Sequence, residues 1–510
     1  MKWMEQTHGT MFELTRHFLA RMFDSEMFST RGQWSGVVVG AFALAVPAGM
    51  LLIDPPYFHK PIAQTLENLR AIAIADELAV LTFVFSITGF LALLAWQSLF
   101  PSRRDYLALA SLPVRSRQIF AARFISITLL AGAITIALSL LPMVMSPHQF
   151  TARGGLPAVT SVGARAVSSC VGCLFIFFAI VAIQGVLLNL LPPRWLTSFS
   201  PYVQGVLVTV FFLSGLYSWF LAEWRAPEIS RLPEIGAWAP PVWFAGLHQV
   251  VSGDRNPFYA AMAKRGLMAM TGVVMLAALT YLLAYSRYRK LLLESPDGAT
   301  QRREWKWSLF RLLGRDPRQQ AILQFLAKAI SRSRLHRLVL TAYAGAALAL
   351  MINSVLLAGA ARRWPGWPQV LQFVVLYWPI GISFVVLAGV RHAFLMPVER
   401  QSNWIFQITE SQGRCAWMTA VERFVIVCVI ALIHLVTLPI AVAVLGAGVG
   451  LRMVALQSLV SLTAFEALFS SWQQLPFTCS YAPGKRPLVA SLTSWIAVLC
   501  ILVPLLSRIV

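Results

Sequence analysis

The sequence predicts an all-α fold, a polytopic membrane helical bundle of about eleven transmembrane helices in two pseudo-repeated halves. Three observations carry that reading. Of 510 residues, 58% are hydrophobic and only 12% are charged, about half the charge of an ordinary soluble domain. Apolar runs of roughly 20 residues recur along the chain, each long enough at 1.5 Å per residue to cross about 30 Å of hydrocarbon. Finally, two stretches far apart in sequence repeat the same layout of proline, basic residues and apolar run. A water-soluble globular architecture is excluded.

Taken in order, the runs are Trp34 to Ile53, Leu78 to Leu99, Ile119 to Pro142, Val167 to Leu191, Ser200 to Leu221, Gly266 to Tyr285, Leu338 to Leu357, Val370 to Leu387, Phe424 to Leu445, Met453 to Trp472 and Leu488 to Leu506. Between the sixth and seventh lies the longest polar stretch, Ser286 to Arg337, with the helix-breaking Glu294-Ser295-Pro296-Asp297-Gly298 and thirteen Lys or Arg residues. It divides the chain into a first half at 1–290, with an interfacial helix and six spans, a basic connector with a second interfacial helix at 291–337, and a second half of about five spans at 338–510.

The formal charge of +21 has a topological explanation. The 42 Lys and Arg are spread over short loops without a compact unit to carry a basic groove, so nucleic acid is not an expected partner and membrane lipids are. With the N-terminus in the cytoplasm, roughly two-thirds of them fall on the inner side, the bias that retention of cations in the cytoplasm produces. The start, Met1 to Phe23, contains acids and an amphipathic pattern where a removable leader would run from basic to apolar. Of the six cysteines, Cys170, Cys173, Cys428 and Cys500 lie inside apolar runs and read as packing residues. The Cys170-x-x-Cys173 pair has no second ligand pair nearby, and no metal site is expected.

Each half opens on an amphipathic segment. In the first, Met11, Phe12, Leu14, Phe18, Leu19, Met22 and Phe23 share helical spacing with Arg16 and Arg21. In the second, Ile322, Leu323, Phe325, Leu326 and Ile330 do so with Lys328, Arg332 and Arg334. Both suit the inner headgroup layer. A similar cytoplasmic element follows later in each half. Pro101-Ser102-Arg103-Arg104-Asp105 leads to Arg123-Phe124 and a span ending at Pro142; Pro397-Val398-Glu399-Arg400-Gln401 leads to Arg423-Phe424 and a span containing Pro439. Proline to proline is 41 positions in the first copy (101 to 142) and 42 in the second (397 to 439).

Within the first element, Asp105, Leu109, Leu112, Pro113, Arg115 and Arg117 place apolar side chains between charges, a pattern that suits either filling a groove on a soluble partner while arginines hold the loop at the membrane, or an ordinary interfacial loop whose arginines only set topology. This stretch resembles the intracellular loop of ATP-binding-cassette type-2 export permeases, in which a charged residue, a short apolar helix and a Leu-Pro-Val-like turn precede a basic start to the next span. The resemblance extends to the amphipathic entry helices and to Ala239-Pro240-Pro241-Val242-Trp243-Phe244-Ala245-Gly246-Leu247 in the outer segment. Such permeases usually carry six spans per half, whereas the second half here supplies five.

The resemblance implies a permease subunit of an export system in the cell's inner (plasma) membrane, with Glu399 and Asn403 as the second loop's counterparts of the docking residues. A phosphate-cradling Gly-x-x-x-x-Gly-Lys-Ser/Thr loop is absent, Gly484-Lys485-Arg486 being the nearest fragment. Hence no catalytic residue and no cofactor is expected in this chain, and ATP and Mg would be bound by a cytoplasmic ATP-binding subunit. A homodimer is a further possible assembly.

Two ionisable groups fall inside apolar runs, Glu466 and His434. They are read either as a proton relay or substrate contact, or as structural groups facing the bundle interior and bonded to backbone or to a polar neighbour such as Thr463 or Gln457. The first choice suits an alternative function, a secondary transporter driven by an ion gradient. A membrane-embedded enzyme acting on a lipid-linked substrate would need clustered acids or histidines, and Glu223, Glu228, Glu234, His248 and Asp254 in the outer segment show no demanding spacing.

Overall fold

The computed structural model describes residues 2–23, 66–96, 99–100, 116–144, 156–222, 226–294, 314, 316–361, 367–397, 414–470, 472 and 475–478. Among them every regular element is helical. We number the helices α1 (Lys2–Phe23), α2 (Leu66–Leu94), α3 (Ser116–Val144), α4 (Leu156–Leu190), α5 (Pro193–Ala222), α6 (Ala226–Ser230), α7 (Leu232–Ile235), α8 (Pro240–Val251) and α9 (Pro257–Glu294). They continue as α10 (Pro317–Arg332), α11 (Arg334–Ala361), α12 (Trp367–Leu395), α13 (Arg414–Val425), α14 (Ala431–Leu445) and α15 (Ala447–Phe469), with a π-helical turn at Ile426–Ile430 joining α13 to α14.

Seven segments among the described residues are long and apolar enough to cross a bilayer: Arg70–Leu93, Val162–Leu190, Phe199–Ser218, Pro257–Ala284, Val375–Leu395, Trp417–Leu445 and Ala447–Phe469. The expected spans Leu338 to Leu357 and Ile119 to Pro142 fall in α11 and α3. Part of α11 meets α10 at an 82° bend, and α3 supplies the shorter apolar stretch Gln118–Ala133. Trp34 to Ile53 and Leu488 to Leu506 lie outside the described residues. Against the eleven expected, the described residues thus hold seven, or eight if the bent pair is one span. Large apolar side chains point outward, with Met275 71% exposed on α9 and Leu435 66% exposed on α14. In water such faces would be a heavy liability; against acyl chains they are solvated. The chain is therefore a multi-pass membrane protein.

The chain folds as two compact units: Met1–Leu196 with Ser214–Gly298, and Thr197–Leu213 with Ala299–Val510. In the first, α4 is the central post, packed by α2, α3, α8 and α9. Gly172 lets the Phe85 ring of α2 lie on α4, because a Cβ there would sit 2.1 Å from that ring. Asn189 Nδ2 donates to Thr280 O of α9 at 2.9 Å, and Gln184 Nε2 donates to Trp96 O at 2.9 Å.

Helix α8 begins at Pro240-Pro241, where two missing N–H groups fall among the orphans of a first turn, after an extended Ala239. It packs across α2, α4 and α9. Gly246 is the point of closest approach to α9, since a Cβ there would meet Tyr259 O at 2.8 Å and Ala263 N at 3.0 Å.

In the second unit α12 plays the central part, against α11, α14 and α15. The 197–213 stretch of α5 joins this unit because Gly205 and Gly345 allow its backbone to touch α11. Thr341 Oγ1 donates to Pro201 O at 3.2 Å, and a Cβ on Gly345 would stand 2.8 Å from Gly205 O. Helices α14 and α15 are joined by the single residue Gly446 (φ +82°), a conformation that only glycine adopts freely.

Replacing Gly246 by Ala sets a methyl against backbone that cannot give way, and unfolding of the purified protein in mild detergent should show a loss of about 1–3 kcal/mol. Gly272→Ala, which meets nothing within 4 Å, should be neutral or stabilising by up to ~1 kcal/mol in the same assay.

Candidate functional site

Two kinds of place could carry function: the edges of the two cytoplasmic loops expected from the sequence, and ionisable groups buried within the helices. Asp105, Leu109, Leu112, Pro113, Arg115, Glu399 and Asn403 lie outside the described residues. Arg117 stands in the first turn of α3. What the structure describes is the frame from which these loops hang.

On the far side of the first loop, α1 lies on the start of α3. Leu14 and Phe18 pack with Ile119 and Ala122, Ser126 Oγ donates to Thr15 O at 2.9 Å, and the buried Arg123 guanidinium sits 5.1 Å from the Phe18 ring centroid. Beyond the second loop, α10 lies on α13 in the same manner. Leu323, Leu326 and Ala327 pack in one cluster with Ala420, Val421 and Phe424, and Arg423 Nη1 donates to Gln319 Oε1 at 3.0 Å.

The near side of the second loop is also fastened. His336, fully buried at the corner between α10 and α11, binds Ser333 Oγ through Nδ1 at 2.6 Å and Met396 O through Nε2 at 3.0 Å. Phe477 meets the His336 ring edge-on at 4.7 Å, and its N–H donates to Phe394 O at 2.8 Å from a left-handed backbone (φ +69°). Met396 is thus held just before the loop containing Glu399 and Asn403. No local pattern marks His336 in the sequence, because its partner lies 60 positions away.

The two intramembrane candidates separate. His434 on α14 is buried, and its Nε2 lies 3.0 Å from Ser461 Oγ, which itself donates to Gln457 O at 2.8 Å. Glu466 on α15 is exposed on the helix surface. Thr463 bonds Val460 O, and Gln457 bonds Val375 O and Leu376 O, so the neighbours considered for Glu466 are engaged elsewhere. The structure does not bring Glu466 and His434 into one bonded site.

A different pair is brought together. Glu77 of α2 and His248 of α8 are 1% and 3% exposed, and Glu77 Oε2 lies 2.5 Å from His248 Nδ1. Gln249 Nε2 donates to the same oxygen at 3.1 Å, while Glu77 Oε1 is buried without a hydrogen-bond partner among the described residues. An isolated carboxylate there would face a desolvation penalty of several kcal/mol; the histidine opposite and the amide beside it offset this. Two weak hints stand in the sequence, a carboxylate at the head of an apolar run and a histidine following Pro-Pro. With 171 positions separating them, no local pattern could join the two.

Cys170 and Cys173 of α4 are not joined in a disulfide, and no group of three or more potential metal ligands is found among the described residues. Compared with protein-family models, curated proteins and solved structures, the chain finds no match.

Changing Glu77 to Ala leaves His248 and Gln249 without their buried acceptor and should lower stability by about 1–3 kcal/mol. Glu466→Gln, on an exposed position, should stay within about 0.5 kcal/mol of the parent. Chemical unfolding of the two variants side by side in one detergent makes the comparison.

Proposed function

We propose that this chain is the membrane permease subunit of an ATP-binding-cassette export system, moving an unidentified substrate with ATP hydrolysed by a separate cytoplasmic subunit. One observation carries the reading. At both expected loops an amphipathic helix is packed across the helix that leaves the loop, α1 on α3 and α10 on α13. In each, an arginine of the second helix meets the first, Arg123 at Phe18 and Arg423 at Gln319. Equivalent frames at equivalent places are what two diverged copies of one half would have, and they agree with the matched proline spacing.

A pair of loops held this way suits a machine driven from outside the membrane. The amphipathic helix lies in the inner headgroup layer, the basic loop edge stays on the cytoplasmic face, and force applied to Leu109, Leu112 and their second-half counterparts enters the spans through α3 and α13. Asp105, Arg115, Arg117, Glu399 and Asn403 supply the polar rim of the docking surfaces. The placement is an inner (plasma) membrane with the N-terminus in the cytoplasm. Nucleotide and Mg belong to the partner, and this chain contributes no catalytic group.

The gradient-driven alternative draws on Glu466 and His434. It gains little from a glutamate on an exposed face and a histidine bonded to Ser461.

Purification from the native membrane in mild detergent should recover a soluble ATP-hydrolysing subunit in stoichiometric amount. The double change Leu109→Asp with Leu112→Asp should abolish that recovery while leaving the permease in the membrane. Recovery unaffected by the double change, or no ATP-hydrolysing partner at all, would sink the proposal.

A further inference from the structure

We propose that α10 docks on anionic lipid, its exposed row of Arg318, Lys328 and Arg332 binding the phosphates of neighbouring headgroups. This rests on the placement of α10 in the headgroup layer made above, and needs no ATP-hydrolysing partner. Geometry supports the placement. The apolar segment of α12 long enough to cross a bilayer ends at Leu395. The carbonyl of the next residue, Met396, bonds His336 at the corner of α10 and α11. From that corner α10 leaves at 82° to α11, which packs along α12. Its axis therefore runs close to the membrane plane, at the level where α12 leaves the hydrocarbon. A course inside the hydrocarbon would put three cations into lipid, which the bilayer penalises heavily.

By sequence alone, the apolar stripe of α10 would be the face that meets the membrane. The fold uses that stripe otherwise. Leu323, Leu326, Ala327 and Ala329 are buried in one cluster with residues of α12, α13 and α15. What α10 shows to its surroundings is the opposite face. There, at 3.6 residues per turn, Arg318, Ala321, Lys328 and Arg332 share one side of the helix, and all four are exposed. From Arg318 to Arg332 the row runs about 21 Å along the axis. No carboxylate occurs between Pro317 and Arg332, and no ion pair to these three cations is found among the described residues.

The electrostatics of the helix itself do not account for the row. A cation in the last turn is favoured by the helix dipole, which explains Arg332. Arg318 stands in the first turn, at the positive end, where a cation is disfavoured. Lys328 and Arg332 are four positions apart on one face, a spacing at which like charges repel. An anion lying over the two relieves that repulsion and accepts charge-assisted hydrogen bonds from both. Lipid phosphate is the anion found at this level of a bilayer, and acidic lipids add the net charge that draws basic helices to it. The first amphipathic helix lacks the feature. On α1, Arg16 lies 3.9 Å from Glu13, so its exposed face carries both signs.

The test is hydrogen–deuterium exchange of the full chain in nanodiscs of phosphatidylcholine alone or mixed equally with phosphatidylglycerol. Exchange in Pro317–Arg332 should slow by about fivefold or more in the anionic discs, since one cation at a charged surface is worth about that factor. Salt at about 1 M, where the Debye length falls to ~3 Å, should reverse the slowing. In the triple variant Arg318→Gln, Lys328→Gln, Arg332→Gln the two lipids should give the same rates. Equal rates in both lipids for the wild type, as insertion of an apolar face would give, overturn the proposal. A lipid difference unchanged in the triple variant does so too, as does protection that appears only when a protein partner is added. Should the triple variant fail to fold, the single changes Arg318→Gln and Lys328→Gln decide: each must reduce the lipid difference, and neither doing so overturns the proposal. The outcome is independent of whether an ATP-hydrolysing subunit co-purifies, so the two readings can fail separately.

Discussion

The constraint on which this structure depends is that a backbone within hydrocarbon finds no water to bond. A helix satisfies its own N–H and C=O groups, and hydroxyl side chains inside the spans turn back on the same backbone. Thr82 bonds Leu78 O, Thr88 bonds Val84 O, Thr280 bonds Leu276 O and Ser458 bonds Val454 O. Each bond removes a polar group from the lipid without needing a second helix, so small hydroxyls are tolerated inside a span. Amides reach farther: Asn189 and Gln204 still turn back on Gly185 O and Ser200 O, but others find partners on other segments.

Where those larger groups go determines how the helices are fixed to one another. Gln184, Asn189 and Gln457 each donate to backbone carbonyls of another segment. Some of these contacts sit beside glycines that admit close approach, as at Gly185 against Thr280. In a membrane, helix association draws on tight packing and such bonds, because lipid is as apolar as leucine. The exposed apolar faces of α9 and α14 need no protein partner, while the buried faces carry the polar contacts.

The same rule makes three places stand out as more than packing. The frames at α1 with α3 and at α10 with α13 commit Arg123 and Arg423 to positions next to the loops. His336 uses both ring nitrogens to hold the corner of α10 and α11 to the end of α12. Glu77 and His248 place an ionisable pair inside an aromatic wall, where apolar residues would have packed without penalty. The frames and the His336 tie each fasten one helix to another beside an expected loop, and the pair fastens α8 to α2.

Composition and the 3.6-residue period along single helices were enough to establish a multi-pass membrane protein, the positions of most spans and the amphipathic character of α1 and α10. Each of those properties is local to one segment of chain, so a linear reading finds it. The role of Glu466 is different, because its exposure depends on which side of α15 meets α12 and α14. The Glu77–His248 pair and the His336 tie are likewise invisible along the chain, since they join residues 171 and 60 positions apart. Only the packing of whole helices, set by where glycines permit close approach and where amides find carbonyls, decides which distant side chains share one dry space.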